Sequence, residues 1–595
     1  MAVKNDKKRK FDSNKAEEAP SNSKRALKQA RQSHRPHAEA VVAAKELWNK
    51  LRVKTNTDEQ NAKMMKELME LLQGKFNRVA LQHDASRVVQ AAIQFGNQKQ
   101  RKIVIKELCE GGNLIELAKS QYAHFVVLKM IKYSAKDEDS MRLIVKTFKG
   151  NMNKLAVHAV AARVVEFLFA NFPSKKTSKL KLEFYGPRFG LFNDGSNVGG
   201  NPTIENLTKD NESAKEAALE SLLALINKGI EKGLFSFAYF QQIVCEYVTA
   251  ASPNDVRALC SSLVDHSIHF LSTRAGARVV AECVSYGTPK DRKRILKSLK
   301  GYTRSSLLHS DAYIAVLRIL DVTDDTVNVQ KASLAELQQL PEKQKKINVL
   351  GEEEGGDDDD EGKSPLLELA LSDTGSKLFL MLLAKDEEAR KKVFDPNELE
   401  ILRPNPTVKE GDEEIPTSKK SANARRVELL QYMKNLLTEC CISHADLLLQ
   451  SRCGAKVLRG MYETYTSKEL TDAIVEACEN EDEEDDVGET MSIFEHAVGH
   501  LSIKNIVLSD ANSKSKADSV TAGLIEKFKG TMIDDIASSN RGAFVLAALL
   551  SSDDSGVVLK EVKKQKKEIK SRIKQSTSMS KPSAGFEALL KSIES

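Results

Sequence analysis

The sequence of 595 residues lacks most of the features that typify secreted, membrane-spanning or sheet-rich proteins. It holds only 30 glycines and 14 prolines beside abundant Ala, Leu, Lys and Glu, which favours helices over sheets. No run of 18 or more apolar residues occurs, so we expect no membrane span. The N-terminus is basic and has no apolar core segment, so we do not expect it to act as a secretory signal.

Cysteine is sparse, and recognisable catalytic motifs are missing. The eight cysteines are scattered, mostly within apolar helical patterns, which predicts buried free thiols in a reducing compartment and no zinc site. His496 and His500 are four residues apart, but Ala497 stands where a metalloprotease motif requires glutamate. The glycine-rich stretch GSNVGGNP is not followed by the Lys-Ser/Thr of a phosphate-binding loop. We therefore expect no metal, no cofactor and no enzymatic activity.

The net charge of +6 conceals a strong segregation of charge along the chain. Residues 1–35 carry +7, while two acidic runs, Glu352–Glu361 and Glu479–Asp486, together carry −15. With these segments set aside, the remainder of the chain carries +14. Such a basic body favours polyanionic partners, although a solvated surface that only maintains solubility is the alternative. The acidic runs are either solvated linkers or shields of the basic surface.

Changes in composition divide the chain into six predicted segments. They are a disordered basic tail at 1–37, a first arm of repeats at 38–185, a loop insertion at 186–212, further repeats at 213–326, an acidic linker at 327–363, and divergent repeats at 364–595 with disordered loops near 404–420 and 479–490. The tail contains a cluster typical of nuclear import, formed by Lys7, Lys8, Arg9 and Lys10.

One stretch of about 18 residues recurs through the helical part. Copies begin 38 residues apart at Val79, Leu117 and Leu155, then 36 residues apart at Phe270 and Ser306. Looser copies surround Gly375, Gly454, His500 and Gly542. This period is typical of an α-solenoid, in which neighbouring repeats stack to bury one continuous core. The core is predicted to contain the paired valines Val88, Val89, Val126, Val127, Val164, Val165, Val279 and Val280.

Polar residues in the first copy have a spacing suited to nucleobases. In SRVVQ, Ser86 and Gln90 are four residues apart and share one helix face, with Arg87 beside them. A hydroxyl and an amide at this spacing can both reach one base edge, and the guanidinium can stack on a base. We refer to the residues equivalent to Ser86, Arg87 and Gln90 as the first, second and fifth motif positions.

SRVVQ resembles the base-reading helix of Pumilio-homology (PUF) repeats. Over roughly residues 40–590 the chain resembles more closely the divergent nucleolar PUF-A or Puf-six-like branch, which has a C-terminal CPL region. The stretches that carry the similarity are AKELWNKLR at 44–52, YAHFVVLKMIKY at 122–133, LEFYGPRFGLF at 182–192, SDAYIAVLRILDVTDDT at 310–326 and SPLLELALSDTGSKLFLMLL at 364–383. The resemblance implies an all-α, right-handed α-solenoid of PUF-like repeats, L-shaped with two arms.

The base-reading positions survive in only one repeat. Leu128 replaces the polar fifth residue beside His124 and Phe125, and the third copy keeps only Arg163 and Glu166. In the repeat of Arg278 the first and fifth motif positions are Ala277 and Ala281, so Arg278 can stack but has no edge-reading neighbour. One or two base contacts, each worth about 1–3 kcal/mol, cannot define a long site. We therefore expect binding mainly through RNA backbone and shape, with five cations as further backbone contacts: Lys456, Arg459, Lys563, Lys564 and Lys567.

The resembled branch implies binding of structured or double-stranded RNA, with DNA as a further ligand. It also implies a monomer in the nucleus and nucleolus, pre-rRNA and pre-ribosomal proteins as partners in large-subunit assembly, and control of mRNA translation as an added role. The rival hypothesis is a HEAT- or importin-like scaffold that binds proteins.

Each candidate residue also has a structural interpretation. The arginines at 87, 163 and 278 can be ion-pair partners within the solenoid, and Ser86 and Gln90 ordinary exposed helix residues. His124 and Phe125 can be packing residues.

Overall fold

The computed structural model describes residues 36–192, 203–209, 211–338, 364–479, 491–510, 518–578 and 582–594. The predicted import cluster, the first acidic run, nearly all of the second run and the loop near 479–490 lie outside these ranges, apart from Glu479. The chain divides into two compact units, residues 1–239 and 240–595. The predicted group of repeats at 213–326 is therefore shared between the units.

The first unit contains fourteen α-helices among its described residues. They are α1 (Ala38–Leu51), α2 (Asp58–Leu72), α3 (Phe76–Ala80), α4 (Ser86–Phe95), α5 (Gln98–Cys109), α6 (Asn113–Lys119), α7 (His124–Ser134), α8 (Glu138–Phe148), α9 (Met152–Ala156), α10 (Ala162–Asn171), α11 (Ser174–Lys181), α12 (Pro187–Phe192), α13 (Ile204–Thr208) and α14 (Glu212–Glu231). Two 3-10 turns, Glu110–Gly112 and Leu182–Tyr185, join them.

The second unit begins within α15 and is also helical. Its elements are α15 (Ala238–Ala250), α16 (Pro253–Leu263), α17 (Ser267–Phe270), α18 (Arg274–Tyr286), α19 (Pro289–Leu299), α20 (Thr303–Leu308), α21 (Tyr313–Val322), α22 (Thr326–Ala332), α23 (Pro365–Leu371), α24 (Ser376–Leu383), α25 (Glu387–Val393), α26 (Pro396–Ile401), β1 (Thr407–Glu410), β2 (Glu413–Pro416), α27 (Ala422–Ser443), α28 (Ala445–Gln450), α29 (Arg452–Thr464), α30 (Lys468–Ala477), α31 (Gly499–Asp510), α32 (Val520–Lys527), α33 (Met532–Asp535), α34 (Asn540–Ser552), α35 (Val557–Lys564), α36 (Lys566–Ser578) and α37 (Ala584–Glu594). Val264–His266 and Leu334–Gln338 are 3-10 turns.

The predicted repeat is confirmed as a structural unit of three helices: a short helix, a motif helix and a back helix. Motif helices α4, α7 and α10 pack side by side, and so do α18 and α21 in the second unit. All eight valines predicted for the core are buried, none more than 2% exposed. Because each motif helix buries its valines against its neighbours, the solenoid prediction holds.

A polar turn starts several motif helices. The ring Nδ1 of His158 accepts hydrogen bonds from the amides of Val160 and Ala161, and that of His309 caps its own turn in the same way. His496 also accepts two amides through Nδ1, at the start of α31. These side chains satisfy amides that the helix itself leaves without acceptors.

Carboxylates bind the glycine turns of neighbouring repeats. Glu183 accepts hydrogen bonds from the amides of Gly150 (2.7 Å) and Met152 (2.9 Å), and Gly150 has φ of +85°. The same double contact is made by each of four residues, which we call the clamp glutamates: Glu107, Glu183, Glu336 and Glu561. The clamps tie each glycine turn to residues about 30 positions later in the chain.

Three local predictions differ from the structure. Helices α12 and α13 lie within the predicted loop insertion at 186–212, where Thr203 caps α13 by accepting the amide of Asn206. Helix α22 and the 3-10 turn Leu334–Gln338 occupy the first part of the predicted linker at 327–363, because Asp325 caps α22. Part of the loop predicted near 404–420 forms an antiparallel hairpin, β1–β2, because Gly411 with φ of +67° allows a tight connection and Asn254 pairs with the backbone of Lys409. The basic stretch at 560–574 is divided at Gln565 between α35 and α36.

Two findings concern the described part of the chain only. None of its helices combines the length and apolar character needed to cross a membrane. Nor do its His, Cys, Asp and Glu side chains form a group of three or more that is suited to a metal ion.

Candidate nucleic-acid interface

The three motif helices of the first unit present their motif positions in a constant pattern. The first position is buried in each helix, at Ser86, His124 and Ala162. The second position is exposed, and the fifth is half-buried. The helices therefore display the residues at the second position side by side: Arg87, Phe125 and Arg163.

Arg87 and Arg163 have no ion-pair partner among the described residues. Both arginines are exposed, and so is Phe125 (47% exposed), on the helix that packs between theirs. Exposed guanidinium groups next to an aromatic ring suit phosphate contact and base stacking.

A groove of 470 Å³ brings this surface together with residues of α1 and of the turn before α7. Its lining consists of Trp48, His83, Asp84, Ser86, Arg87, Gln90, Tyr122 and Phe125. The ring of His83 contacts Tyr122 edge to face at 4.3 Å between centroids, and Arg52 lies over the Trp48 ring. Flat side chains on several sides of the groove make it suited to a planar group such as a base.

Ser86 and Gln90, the predicted edge-reading pair, both line the groove. Ser86 is nevertheless buried, and its hydroxyl donates to the carbonyl of His83 at 3.4 Å. It is therefore not an ordinary exposed helix residue, and only Gln90 of the pair is accessible for a base edge.

His124 and Phe125 have different environments, although their ring centroids are 3.9 Å apart and the ring planes are tilted by 36°. The Nδ1 atom of His124 lies 3.0 Å from the carbonyl of Ser120, while Nε2 is buried without a hydrogen-bond partner. His124 is therefore a packing residue, whereas Phe125 is exposed.

Glu166 is engaged by its own unit. Its Oε2 accepts a hydrogen bond from the amide of Tyr239 at 3.1 Å. The Tyr239 hydroxyl in turn donates to the carbonyl of Ala156, and burial raises the pKa of Tyr239. This carboxylate thus positions the start of α15.

Arg278 occupies the second motif position of α18 but is held by carboxylates. Its guanidinium pairs with Glu400 at 2.5 Å and lies 4.0 Å from Glu282. The ion-pair interpretation therefore describes Arg278, unlike Arg87 and Arg163.

Lys456 and Arg459 share a second groove, of 340 Å³, on α29 and α31. Arg452, Cys453 and the exposed Leu501 also line it. Arg459 lies 3.4 Å from Glu463, while Lys456 is exposed. The groove is also lined by Asp373, and the predicted contact of Lys456 and Arg459 with RNA backbone stays a prediction.

Lys563, Lys564 and Lys567 are exposed on both sides of the break at Gln565. None of the three makes an ion pair within the described residues. Nearby, Lys566 and Arg572 pair with Glu594 and Asp534, so only part of the basic stretch is available to a ligand.

Trp48 and Tyr122 were not predicted as site residues. Trp48 lies on α1, outside the repeated motif, and Tyr122 lies two residues before its motif helix. Tyr122 could have been found as an aromatic residue in an otherwise polar turn. For Trp48 the sequence gives no such signal, because only the tertiary fold brings α1 to the groove.

Comparisons with known proteins find two families along this chain. The Pumilio-family RNA binding repeat matches residues 76–109, 113–146 and 276–299. The CPL (NUC119) domain matches residues 372–519. The first two repeat matches contain the helices α4 and α7 that line the 470 Å³ groove.

Relatives extend over most of the chain. Pumilio homolog 3 of Rattus norvegicus is 28% identical over 544 residues, covering 90% of this chain and 77% of that protein. Pumilio homology domain family member 6 of Schizosaccharomyces pombe is 27% identical over 561 residues, covering 92% and 80%. The crystal structure of human Puf-A matches with a TM-score of 0.74 and 25% identity over 93% of this chain and 99% of that one.

Proposed function

Because this chain is a Pumilio-repeat protein of the Puf-A type with a CPL domain, we propose that it binds RNA mainly through backbone and shape. The observation that carries the proposal is the row formed by Arg87, Phe125 and Arg163 on adjoining helices, exposed and without carboxylate partners among the described residues. These side chains contact phosphates and base faces, which every RNA sequence offers.

Sequence preference is confined to one position. Gln90 is the accessible edge-reading side chain of the first groove, and its equivalents are Leu128 and the engaged Glu166. One base contact gives about 1–3 kcal/mol of discrimination, which is too little to define a site. The protein acts by binding, without a catalytic step.

We further propose pre-rRNA as the principal RNA, bound during assembly of the large ribosomal subunit in the nucleolus. The support is the resemblance to the nucleolar branch, together with the basic cluster Lys7–Lys10. Pre-ribosomal proteins are the proposed protein partners, and control of mRNA translation is a secondary role. Crosslinking of RNA to the full chain in cells tests this role: mainly pre-rRNA reads support it, and reads spread over mRNAs contradict it.

The binding mechanism is tested by titrating the full chain with unrelated single-stranded and duplex RNAs, and with duplex DNA, at several salt concentrations. We expect similar affinities that fall about tenfold or more between 50 and 200 mM salt. A strong preference for one single-stranded sequence would contradict backbone recognition. Absence of binding to all RNAs would support the protein-scaffold hypothesis.

Paired variants locate the surface. Replacing Arg87 and Arg163 by Glu should weaken RNA binding about tenfold or more, because two phosphate contacts become repulsive. The matched control changes Lys99 and Lys106 to Glu on the back helix α5, where both residues are exposed. Equal losses in both variants would mean that net charge, and not this surface, governs binding.

A further inference from the structure

In the second unit, a short acidic segment lies across the motif helices. Helix α26 contacts both α18 and α21, whose equivalents in the first unit form the exposed row. Its residues Glu398 and Glu400 reach side chains of three successive repeats. The surface of the second unit that is equivalent to this row is therefore covered by residues of the same unit.

Glu400 pairs with Arg278 at the second motif position. The equivalent arginines of the first unit, Arg87 and Arg163, are exposed and lack such a partner among the described residues. A carboxylate in contact with a guanidinium occupies the donors that a phosphate would use. Arg278 is only 24% exposed in this arrangement.

Glu398 binds two further motif residues at once. It accepts hydrogen bonds from the hydroxyl of Tyr313, the first motif residue of α21, and from the ammonium of Lys377, the second motif residue of α24. The Lys377 ammonium also lies 5.1 Å from the Tyr313 ring centroid. Glu398 is 4% exposed and additionally accepts the amide of Asp395, so it joins the start of α26 to both repeats.

After α26 ends, the acidic segment continues along α18. Arg403 donates to Glu282 at 3.0 Å and to the Tyr286 hydroxyl at 3.3 Å. The carbonyl of Arg403 accepts a hydrogen bond from the buried Arg318. Residues 395–403 thus follow a defined path, held by charged and polar contacts.

We propose that Arg278, Tyr313 and Lys377 form a second site for the RNA backbone, which residues 395–403 occupy in the free protein. The carboxylates of Glu398 and Glu400 take the places of phosphate oxygens, so RNA and the segment compete for the same donors. Displacement of residues 395–403 would expose two cations and an aromatic ring. The row on α4, α7 and α10 offers the same types of side chain. This inference rests on the RNA-binding function proposed above.

The test compares E400Q with a matched control, E410Q, in the full chain. Glu410 is 57% exposed and pairs at 3.1 Å with Arg257 of α16, which is not a motif residue, while Glu400 is 53% exposed. Both variants lose one exposed carboxylate from an arginine pair, and little stability depends on such pairs. We expect E400Q to bind a fluorescent duplex RNA about three- to tenfold more tightly and with a steeper salt dependence, and E410Q to change affinity by less than about twofold.

Adding R278A to E400Q should abolish the gain, because the released guanidinium is its source. No gain in E400Q, an equal gain in E410Q, or a gain that persists without Arg278 would each overturn the inference. These failures differ from failure of the proposed function. In the latter case the unmodified protein binds no RNA or is insensitive to the R87E and R163E changes.

Discussion

The second motif position shows how far a single residue can be interpreted from its local sequence. Arg87, Arg163 and Arg278 all precede a pair of valines. Two of them are exposed, whereas the third pairs with Glu400, which lies 122 residues further along the chain. The valine pairs were predictable because their periodicity is local. Whether the arginine is exposed or ion-paired was not predictable, because Glu400 belongs to a segment that carries no repeat pattern.

At the same scale, Cys453 is predicted to be the one rapidly reacting thiol. All eight cysteines are free; seven are buried, and Cys453 is half-buried in the groove of Lys456 and Arg459. Burial raises the pKa of Cys109 and of Cys440 to about 11, which suppresses the reactive thiolate. Titration of the native protein with a chromogenic disulfide at pH 8 should give one fast thiol, which C453S removes.

RNA bound to this groove should also slow the labelling of Cys453. Lys456 lines the same concave surface, so a phosphate there restricts access to the sulfur. Seven or eight fast thiols would contradict the buried positions. Unchanged labelling in saturating RNA would mean that Lys456 and Arg459 are not backbone contacts.

Among the elements, the motif helices were predictable and the inserted segments were not. Helix α10 repeats the sequence pattern of α4, so the helix predicted for one copy is also predicted for the other. The hairpin β1–β2 and helix α26 occur once and are held by distant residues such as Asn254 and Tyr313. The same limit applies to the groove residue Trp48, which lies outside every repeat.

The strand-to-helix connection after β2 should be sensitive to acid. Burial raises the pKa of Asp324, but hydrogen bonds from Ser418 and from the amides of Lys419 and Lys420, together with Arg425, lower it overall. A carboxyl group with a lowered folded pKa contributes stability above its unfolded pKa, near 4, and loses it as the pH falls through the folded value.

Replacing Asp324 by Asn should therefore lower the free energy of unfolding by about 1–3 kcal/mol at pH 7. The difference from the unmodified protein should shrink as the pH falls below about 4. Chemical denaturation between pH 3 and 7 measures both effects, with the exposed Asp472→Asn as the control. A difference that is constant with pH would contradict the role of the ionised carboxylate.

The clamp glutamates allow a matched test of repeat stability. Glu183→Gln leaves only one good acceptor for the two amides of Gly150 and Met152, so we expect a loss of about 1–3 kcal/mol. Glu67→Gln, on the exposed face of α2, should change stability by less than about 0.5 kcal/mol. The measurement is thermal unfolding of the two variants. Equal melting temperatures would contradict the stabilising role of the Glu183 carboxylate.

For the whole molecule, charge segregation links the sequence to its proposed location and ligand. Changing Lys7, Lys8, Arg9 and Lys10 to Ala should move a fluorescent fusion from the nucleus to the cytoplasm. Changing Lys563, Lys564 and Lys567 to Ala, as a control, should preserve nuclear accumulation while weakening RNA binding. Nuclear accumulation of the first variant would show that another signal directs import.

The helical solenoid as a whole was predictable because a period of 36 to 38 residues and its valines are visible in the sequence. The division between two units at residue 239 was not, because α14 and α15 lie between the clear copies of the motif. The motif helices could be proposed as the RNA surface from the sequence alone, but the cover that α26 places on α18 and α21 could not.

The clamp glutamates also determine where the chain can be cut for laboratory work. Glu183 follows Gly150 by 33 positions, so a shortened protein ending at residue 172 would leave the amides of Gly150 and Met152 without their acceptor. An end point at residue 192 retains both contacts. Fragments prepared for spectroscopy or crystallisation should therefore end beyond a clamp glutamate, and not at the apparent boundary of a repeat.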